Sequence, residues 1–308
     1  MAGADKRNAE SVAAFQPKLS SCPICHNKKL IFFIEVYGYK YSQCKSCGHI
    51  FMQPPLDLNA VKKLYGGGED GSMQKLVYLD EELFLRRIEQ IALPKIEYCN
   101  NIIGEKGLWV DIGCGGGEFL AAAQKTGWKT KGFEADAAEV DFARRRGIEV
   151  VQEYITAENV PKLKDAKVVS LINILEHINN PAELLSAIAG NLQKRAFVVF
   201  EVPRHPSLSS FVNLAFPHLP YRHIVPPDHL HVFTEKSVEI MLNNAELKAV
   251  SVWEFGQDAV DLILAAANNA RLKENDFIEE IIVLAQDMQK VVDEQSLSDI
   301  LFMVTIKN

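Results

Sequence analysis

The chain has 308 residues, of which 48% are hydrophobic and 24% charged, with a formal net charge of −7. That composition excludes a disordered chain and gives more sequence than one small core needs, so a main domain with attachments is expected. Apolar runs such as "VVSLI" and "AFVVF" are too short to cross a bilayer, and the acidic balance argues against a broad nucleic-acid footprint.

Residues 1–20 lack the apolar core of a secretory leader, so a flexible tail and a cytoplasmic location are expected. Residues 1–55 as a whole are basic, with seven basic and three acidic side chains. Within 21–53, four of the six cysteines fall into two C-x-x-C pairs, "SCPICH" and "SQCKSCGHIF". Cys22 and Cys25 form one knuckle and Cys44 and Cys47 the other. Each knuckle brings two sulfurs to one point, and four thiolates are the tetrahedral set that Zn²⁺ prefers. A cytosolic chain keeps its thiols reduced, which argues against disulfides. A closed four-cysteine site has no open coordination position, so the zinc is expected to be structural. His26 and His49 are neighbouring substitutes as ligands. Between the pairs, "LIFFIEVYGYKYSQ" predicts a strand, a turn at Gly38 and a second strand. The segment reads as a zinc ribbon, stapled because so short a stretch rarely folds alone.

Residues 54–105 read as a helical linker or lid. After a Pro-Pro break, a short helix is predicted from Asp57 to Tyr65, stopped by Gly66, Gly67 and Gly68. A longer helix is predicted over 80–103, with Leu83, Phe84, Ile88 and Ile91 at helical spacing and a kink or restart at Pro94.

From residue 106 to 308, short apolar strands alternate with helices. "GLWVDIG", "KTKGFEAD", "IEVVQEY", "AKVVSLINIL" and "RAFVVFEVP" are strands, separated by "EFLAAAQKTG", "AAEVDFARRRG" and "NPAELLSAIAGNLQ". Continuous apolar strands with helical crossovers predict an α/β, Rossmann-like doubly wound sheet covered on both faces. An irregular stretch over 203–233 is followed by the helix "TEKSVEIMLNNAEL" and the strand "KAVSVWEF". Residues 257–299 hold ten acidic and three basic side chains and read as a helical insertion before the last strand, "DILFMVTIKN". In it Phe277, Ile281, Leu284, Met288 and Val291 make an apolar stripe, which either packs on the sheet or lid or forms a dimer contact. Monomer and homodimer both stay open.

The loop "VDIGCGGGEFL" joins the first strand of this sheet to its first helix, where such folds bind ligands. A dinucleotide fingerprint needs glycine at position 118, which is Glu118. Gly113, Gly115 and Gly117 instead give G-x-G-x-G behind Asp111. Glu134, at the end of the second strand, can accept both hydroxyls of a ribose, with Asp136 as its neighbour. An adenosine-type ribose beside a positive centre points to S-adenosylmethionine.

Together with "INILEHINNPAELL" and "DHLHVFTEKSVEIMLNNAEL", these segments resemble the class I S-adenosylmethionine-dependent methyltransferases. With the ribbon, the chain is similar to bacterial methyltransferases acting on sugars or other small metabolites. The resemblance implies a cofactor site of Asp111, Gly113, Cys114, Gly115, Gly117, Glu134, Ala135, Asn173 and Leu175, with an adenine contact near Glu153 or Tyr154. It also implies a small-molecule methyl acceptor: a sugar, a surface-glycan precursor or a related metabolite. Five of the eight histidines fall between 205 and 231: His205, His218, His223, His229 and His231. Acid–histidine pairs like Asp228–His229 provide the base in the sugar C-methyltransferases that this chain resembles. His229 is therefore the first candidate base, with His231, His177, Tyr221 and His223 behind it. As alternate strand residues, His229 and His231 should face opposite sides. Two rivals stand: an RNA methyltransferase whose ribbon touches phosphates, and a non-catalytic binding protein that retains the fold. "NILE" in place of N/D-P-P-Y argues against methylation of base amino groups, and the lack of a Pro-Cys pair argues against a cysteine-nucleophile cytosine methylase.

Overall fold

The computed structural model describes residues 15–57, 59, 79–216, 222–272 and 278–308. Most of the helix expected over 57–65, the glycine run after it, His218, Tyr221 and Phe277 lie outside the described residues.

The first three strands, β1 (Leu30–Val36), β2 (Tyr39–Cys44) and β3 (Ile50–Gln53), form an antiparallel ribbon. Tyr37 and Gly38 turn β1 into β2 with φ of 50° and 84°, the pair of left-handed residues that suits a two-residue hairpin. Two helices follow, α1 (Glu81–Arg87) and α2 (Leu93–Ile103), joined by a π-helical turn over Ile88–Ala92. Pro94 lacks an N–H and clashes with the carbonyl four residues back; the wider turn ahead of it absorbs both problems without ending the rod.

The main sheet has seven strands in the order β10-β11-β8-β7-β4-β5-β6. They are β4 (Leu108–Ile112), β5 (Lys129–Glu134), β6 (Val150–Gln152), β7 (Ala166–Ile172), β8 (Phe197–Pro203), β10 (Leu247–Phe255) and β11 (Ile300–Lys307). Neighbours from β6 to β8 pair parallel, while β11 runs antiparallel between β8 and β10. The crossovers are α3 (Glu118–Lys125), α4 (Ala137–Arg144), α5 (Pro181–Gly190) and, after a longer excursion, α7 (Glu235–Asn244).

The period of two in a strand explains why both faces are apolar. Val110, Val198 and Met303 pack with Leu184, Leu185 and Ile188 of α5 and Met241 of α7. Their neighbours Trp109, Val199 and Phe302 pack with Ile96 of α2, Leu120 of α3 and Val140 of α4.

Between β8 and α7, the stretch expected to be irregular holds a helix, α6 (Leu208–Ala215), opened by Ser207 and Ser210 in a capping box. Leu208, Phe211, Val212 and Ala215 recur in it at helical spacing, although Phe211 and Leu214 stay exposed. The stretch ends in β9 (His231–Val232), which adds a fourth strand to the ribbon sheet, with Ile50 opposite Val232 and Phe51 opposite His231. The ribbon thus shares a core with the end of this segment: Tyr41, Ile50 and Met52 pack with Ile224, Leu230 and Val232.

The acidic insertion forms α8 (Asp258–Ala270) and α9 (Ile278–Glu294). The stripe expected on α9 does not pack as a unit. Ala285 is fully buried, whereas Leu284 and Val291 are 55% and 60% exposed, because the line of closest approach runs along a different face. Among the described residues no helix is long and apolar enough to cross a membrane.

Candidate active site

The glycine loop leaves β4 at Ile112 and enters α3 at Glu118. Gly113, Gly115 and Gly117 have φ of 71°, 53° and 90°, a region that only glycine enters at little cost. Their surroundings differ. A Cβ on Gly113 would lie 2.1 Å from Ile174 Cδ1, and one on Gly117 2.6 Å from Ile148 Cδ1, while one on Gly115 would meet only Glu139 Oε2 at 3.6 Å. Two glycines let the loop close against its neighbours; the middle one faces open space.

Glu134 ends β5 beside this loop. Its Oε2 accepts from the Gly115 N–H at 2.9 Å, and Oε1 accepts from the N–H groups of Ala135 and Asp136 at 2.6 and 2.9 Å. Burial raises its pKa, and the three main-chain donors pull it back. Asp136 instead caps α4, accepting from the N–H groups of Ala138 and Glu139. Beneath the loop, Asp111 is buried and takes a hydrogen bond from Ser170 Oγ at 2.5 Å. Trp109 Nε1 donates to that same Oγ at 2.8 Å. Burial pushes Asp111 up to about 7, against the pull of Ser170. Asn173 is exposed at the end of β7, with φ of 53°. The carboxyl ends of β4, β5 and β7 thus gather Asp111, Gly115, Glu134, Ala135 and Asn173.

Two expected cofactor residues are placed differently. The Cys114 thiol packs against Gly132, 2.5 Å from where a Cβ on that residue would sit; only the main chain of Cys114 is available to a ligand. Leu175 is entirely buried in the core, so it forms no pocket wall. Ile174, one residue earlier, lies over the loop instead.

The histidines divide into two groups. His177 sits in a 3₁₀ turn, Leu175–His177, after β7, and its Nδ1 lies 2.7 Å from the Asp228 carbonyl. His229 packs edge-on against it with ring centroids 4.8 Å apart, and its Nδ1 lies 3.2 Å from the His223 carbonyl. Burial lowers His177 to about 4. Burial and the neighbouring His177 and His223 hold His229 well below the ordinary histidine value. Both are therefore neutral near pH 7.

His223 meets a carboxylate from 76 residues along the chain: Asp299 Oδ2 lies 2.7 Å from its Nε2. Asp299 is wholly buried and also meets Arg222 at 2.9 Å and Ser209 Oγ at 3.1 Å. Against burial, which would raise it, these contacts hold Asp299 below the ordinary aspartate value. Asp228 gives His177 its main-chain carbonyl, and Asp299–His223 is an acid–histidine pair that the sequence did not suggest.

His231 faces away from His229, as strand alternation requires. It is buried behind the ribbon with its Nδ1 3.0 Å from His49 Nε2, so it does not face an acceptor and is set aside as a base. A shallow cleft opens between the ribbon and the segment after β8, lined by Phe33, Ile34, Arg204, His205, Ser210 and His223 among others.

A family model described as a methyltransferase domain matches residues 84–252, more than half of the chain. The chain belongs to this methyltransferase-domain family. A ubiquinone biosynthesis O-methyltransferase of Stutzerimonas stutzeri is 29% identical over 142 residues, covering 43% of this chain and 60% of the relative. One of Shewanella halifaxensis is 30% identical over 124 residues, covering 38% of this chain and 49% of the relative. The chain therefore spans about half to three-fifths of the length of these curated relatives. The crystal structure of magnesium protoporphyrin IX methyltransferase from Synechocystis PCC 6803 with bound SAH superposes with a TM-score of 0.54. It is 9% identical, and the match covers 82% of this chain and 100% of that one. It shares the α/β methyltransferase fold.

Outside the matched span of the methyltransferase domain, the four ribbon cysteines converge. Cys22 and Cys47 sulfurs are 3.6 Å apart, Cys25 and Cys44 sulfurs 3.5 Å, and all four lie within 4.8 Å of one another. Four sulfurs each about 2.3 Å from one zinc would stand roughly 3.8 Å apart, so the set fits that ion. The Ile24 and Ser46 N–H groups point at Cys22 and Cys44 sulfurs, each at 3.4 Å, as donors that steady thiolates. His49 is turned to His231 and does not join this set.

Three buried titratable groups of the methyltransferase domain escape sequence reasoning. Lys95 on α2 meets Glu201 on β8 at 2.5 Å, with both side chains nearly buried. Glu176 is also buried, and burial together with the charge of Glu201 pushes it up to about 8. The available signal was a carboxylate inside an apolar run, in "RAFVVFEVP" and "INILEHI", and it names no partner.

Proposed function

We propose that this protein is an S-adenosylmethionine-dependent methyltransferase that methylates a hydroxyl of a small polar molecule, a sugar or a surface-glycan precursor. One observation carries the reading: a loop of three left-handed glycines whose middle N–H is bound by Glu134 at the end of the neighbouring strand. When bound, S-adenosylmethionine supplies a methyl group on a positively charged sulfur, a leaving group that needs positioning and dryness more than activation. Glu134 would hold the ribose. A carboxylate has about four acceptor positions, and three main-chain donors already use this one, so the ribose would share it with the loop.

The names of the curated relatives support oxygen as the methylated atom, and the polar lining of the cleft by Arg204, His205, Ser207, Ser210 and Asn213 supports a hydroxyl-rich acceptor. His223 would take the proton as the acceptor oxygen gains the methyl group, with Asp299 fixing the ring and stabilising its charge. The ribbon would hold one structural zinc and close the acceptor side.

Calorimetric titration with S-adenosylhomocysteine tests the cofactor site. The wild-type chain should bind one equivalent and Glu134→Ala at least about tenfold more weakly; a wild-type chain that takes none would remove the proposal. For the base, His223→Asn should lower kcat by about a hundredfold or more, with S-adenosylhomocysteine affinity unchanged. Near-normal turnover at every pH would return the role to His229.

A further inference from the structure

We propose a second metal site, in which Glu176, His177 and His229 hold a divalent first-row transition-metal ion. Among the described residues, and besides the four cysteines, these are the residues whose donor atoms converge: one carboxylate oxygen and two ring nitrogens, all within 4.8 Å of one another. Two imidazoles and one carboxylate suit Zn²⁺, Mn²⁺, Fe²⁺, Co²⁺ or Ni²⁺ rather than Mg²⁺ or Ca²⁺.

Three observations make this a built site. First, Glu176 is 1% exposed and its Oε2 has no hydrogen-bond partner. Among the described residues its ion-pair contact is with His177, at 4.0 Å. A buried carboxylate oxygen without a donor is costly, and a cation would relieve that cost. Second, the tautomers are set. The Nδ1 atoms of His177 and His229 each approach a main-chain carbonyl, of Asp228 at 2.7 Å and of His223 at 3.2 Å. A carbonyl only accepts, so both Nδ1 atoms carry hydrogen and both Nε2 atoms carry the lone pair. An outer carbonyl of this kind orients metal-binding histidines. Third, the two segments are tied together. The Leu230 N–H donates to the Glu176 carbonyl at 2.7 Å, and the Tyr41 hydroxyl donates to the His229 carbonyl at 2.6 Å.

Ligand atoms about 2.1 Å from one ion stand roughly 3–4.2 Å apart. The donors stand up to 4.8 Å apart, so binding would draw them in by roughly 1 Å. Three protein donors leave positions open on the ion. If the methyltransferase reading holds, an acceptor hydroxyl ligated there would become more acidic and would lose its proton to His223, whose ring lies 6.3 Å from that of His229. The binding of the ion does not depend on that reading.

The test uses the full chain carrying a single equivalent of zinc, which the four thiolates take first, then equilibrated by dialysis against Co²⁺ and analysed for both elements. The wild-type chain should retain its zinc and gain one Co²⁺ without thiolate-to-cobalt charge-transfer absorption. Glu176→Gln and His229→Ala should keep the zinc and bind Co²⁺ at least about a hundredfold more weakly. A wild-type chain that gains no cobalt, or variants that gain as much as wild type, would overturn the site. S-adenosylhomocysteine titration of the same samples separates the two ideas. Cobalt uptake without nucleoside binding sinks only the methyltransferase reading, and nucleoside binding without cobalt uptake sinks only the metal.

Discussion

Asp111 lies beneath the glycine loop, almost without exposure, and its one side-chain hydrogen bond comes from Ser170. Burial raises its pKa from 3.8 to about 7. A carboxyl whose folded pKa is raised binds more protons in the folded chain than in the unfolded one. Its contribution is therefore most favourable below 3.8 and is lost as pH rises through about 7. Between about pH 5 and about pH 8 the loss comes to roughly 3 kcal/mol. Asp111→Asn keeps an oxygen for Ser170 to donate to and has nothing to titrate. Urea unfolding of both chains should give similar stabilities near pH 5. Near pH 8 the variant should be ahead by about 3 kcal/mol relative to that starting difference. Every other titrating group is common to both chains, so the difference isolates this carboxyl. A difference that stays flat with pH, or that favours aspartate as pH rises, would show that Asp111 is held ionised and would refute the reasoning.

Lys95→Met should cost about 3–5 kcal/mol in urea unfolding because it strands a buried Glu201, and Lys95→Met combined with Glu201→Met should recover most of the loss; a single-variant cost below about 1 kcal/mol would mean the pair is wetter than its burial implies. Gly113→Ala meets both left-handed backbone and the Ile174 methyl at 2.1 Å, whereas Gly127→Ala has φ of 93° with nothing within 4 Å. The first should destabilise by roughly 1–3 kcal/mol more than the second, and equal losses would mean Ile174 simply moves aside. Cys47→Ser should release the ribbon zinc, measured by elemental analysis. It should also speed hydrogen exchange over residues 222–234, because Thr234 Oγ1 donates to the Cys47 carbonyl at 2.5 Å and β9 pairs with β3. Unchanged exchange there would uncouple the ribbon from that segment.

The features legible in the sequence are those written in local spacing. Two C-x-x-C knuckles, glycines that need positive φ, and apolar strands alternating with helices each carry their reason within a few residues. Partners distant in sequence were not legible. Nothing near His223 points to Asp299, and nothing near Lys95 points to Glu201. The exchange of Leu175 for Ile174 has a definite cause: β7 ends at Ile172, and Asn173 is left-handed, which resets the alternation that a strand continuing to Leu175 would have kept. His231 was expected to face away from His229, but the imidazole waiting for it on the ribbon, His49, depends on strand pairing that no local pattern records.

The two-residue strand β9 has a consequence for anyone wishing to trim this molecule. A chain begun near residue 80 keeps the whole span matched to the family, yet it loses the neighbours that cover His231, Val232 and Phe233 and the hydroxyl that steadies the His229 carbonyl. Such a fragment would be a vessel with one side removed: sticky where it was sealed, and slack at the rim where the imidazoles meet. Excision of the ribbon should therefore be planned as surgery on the pocket itself, with replacements for the uncovered apolar side chains.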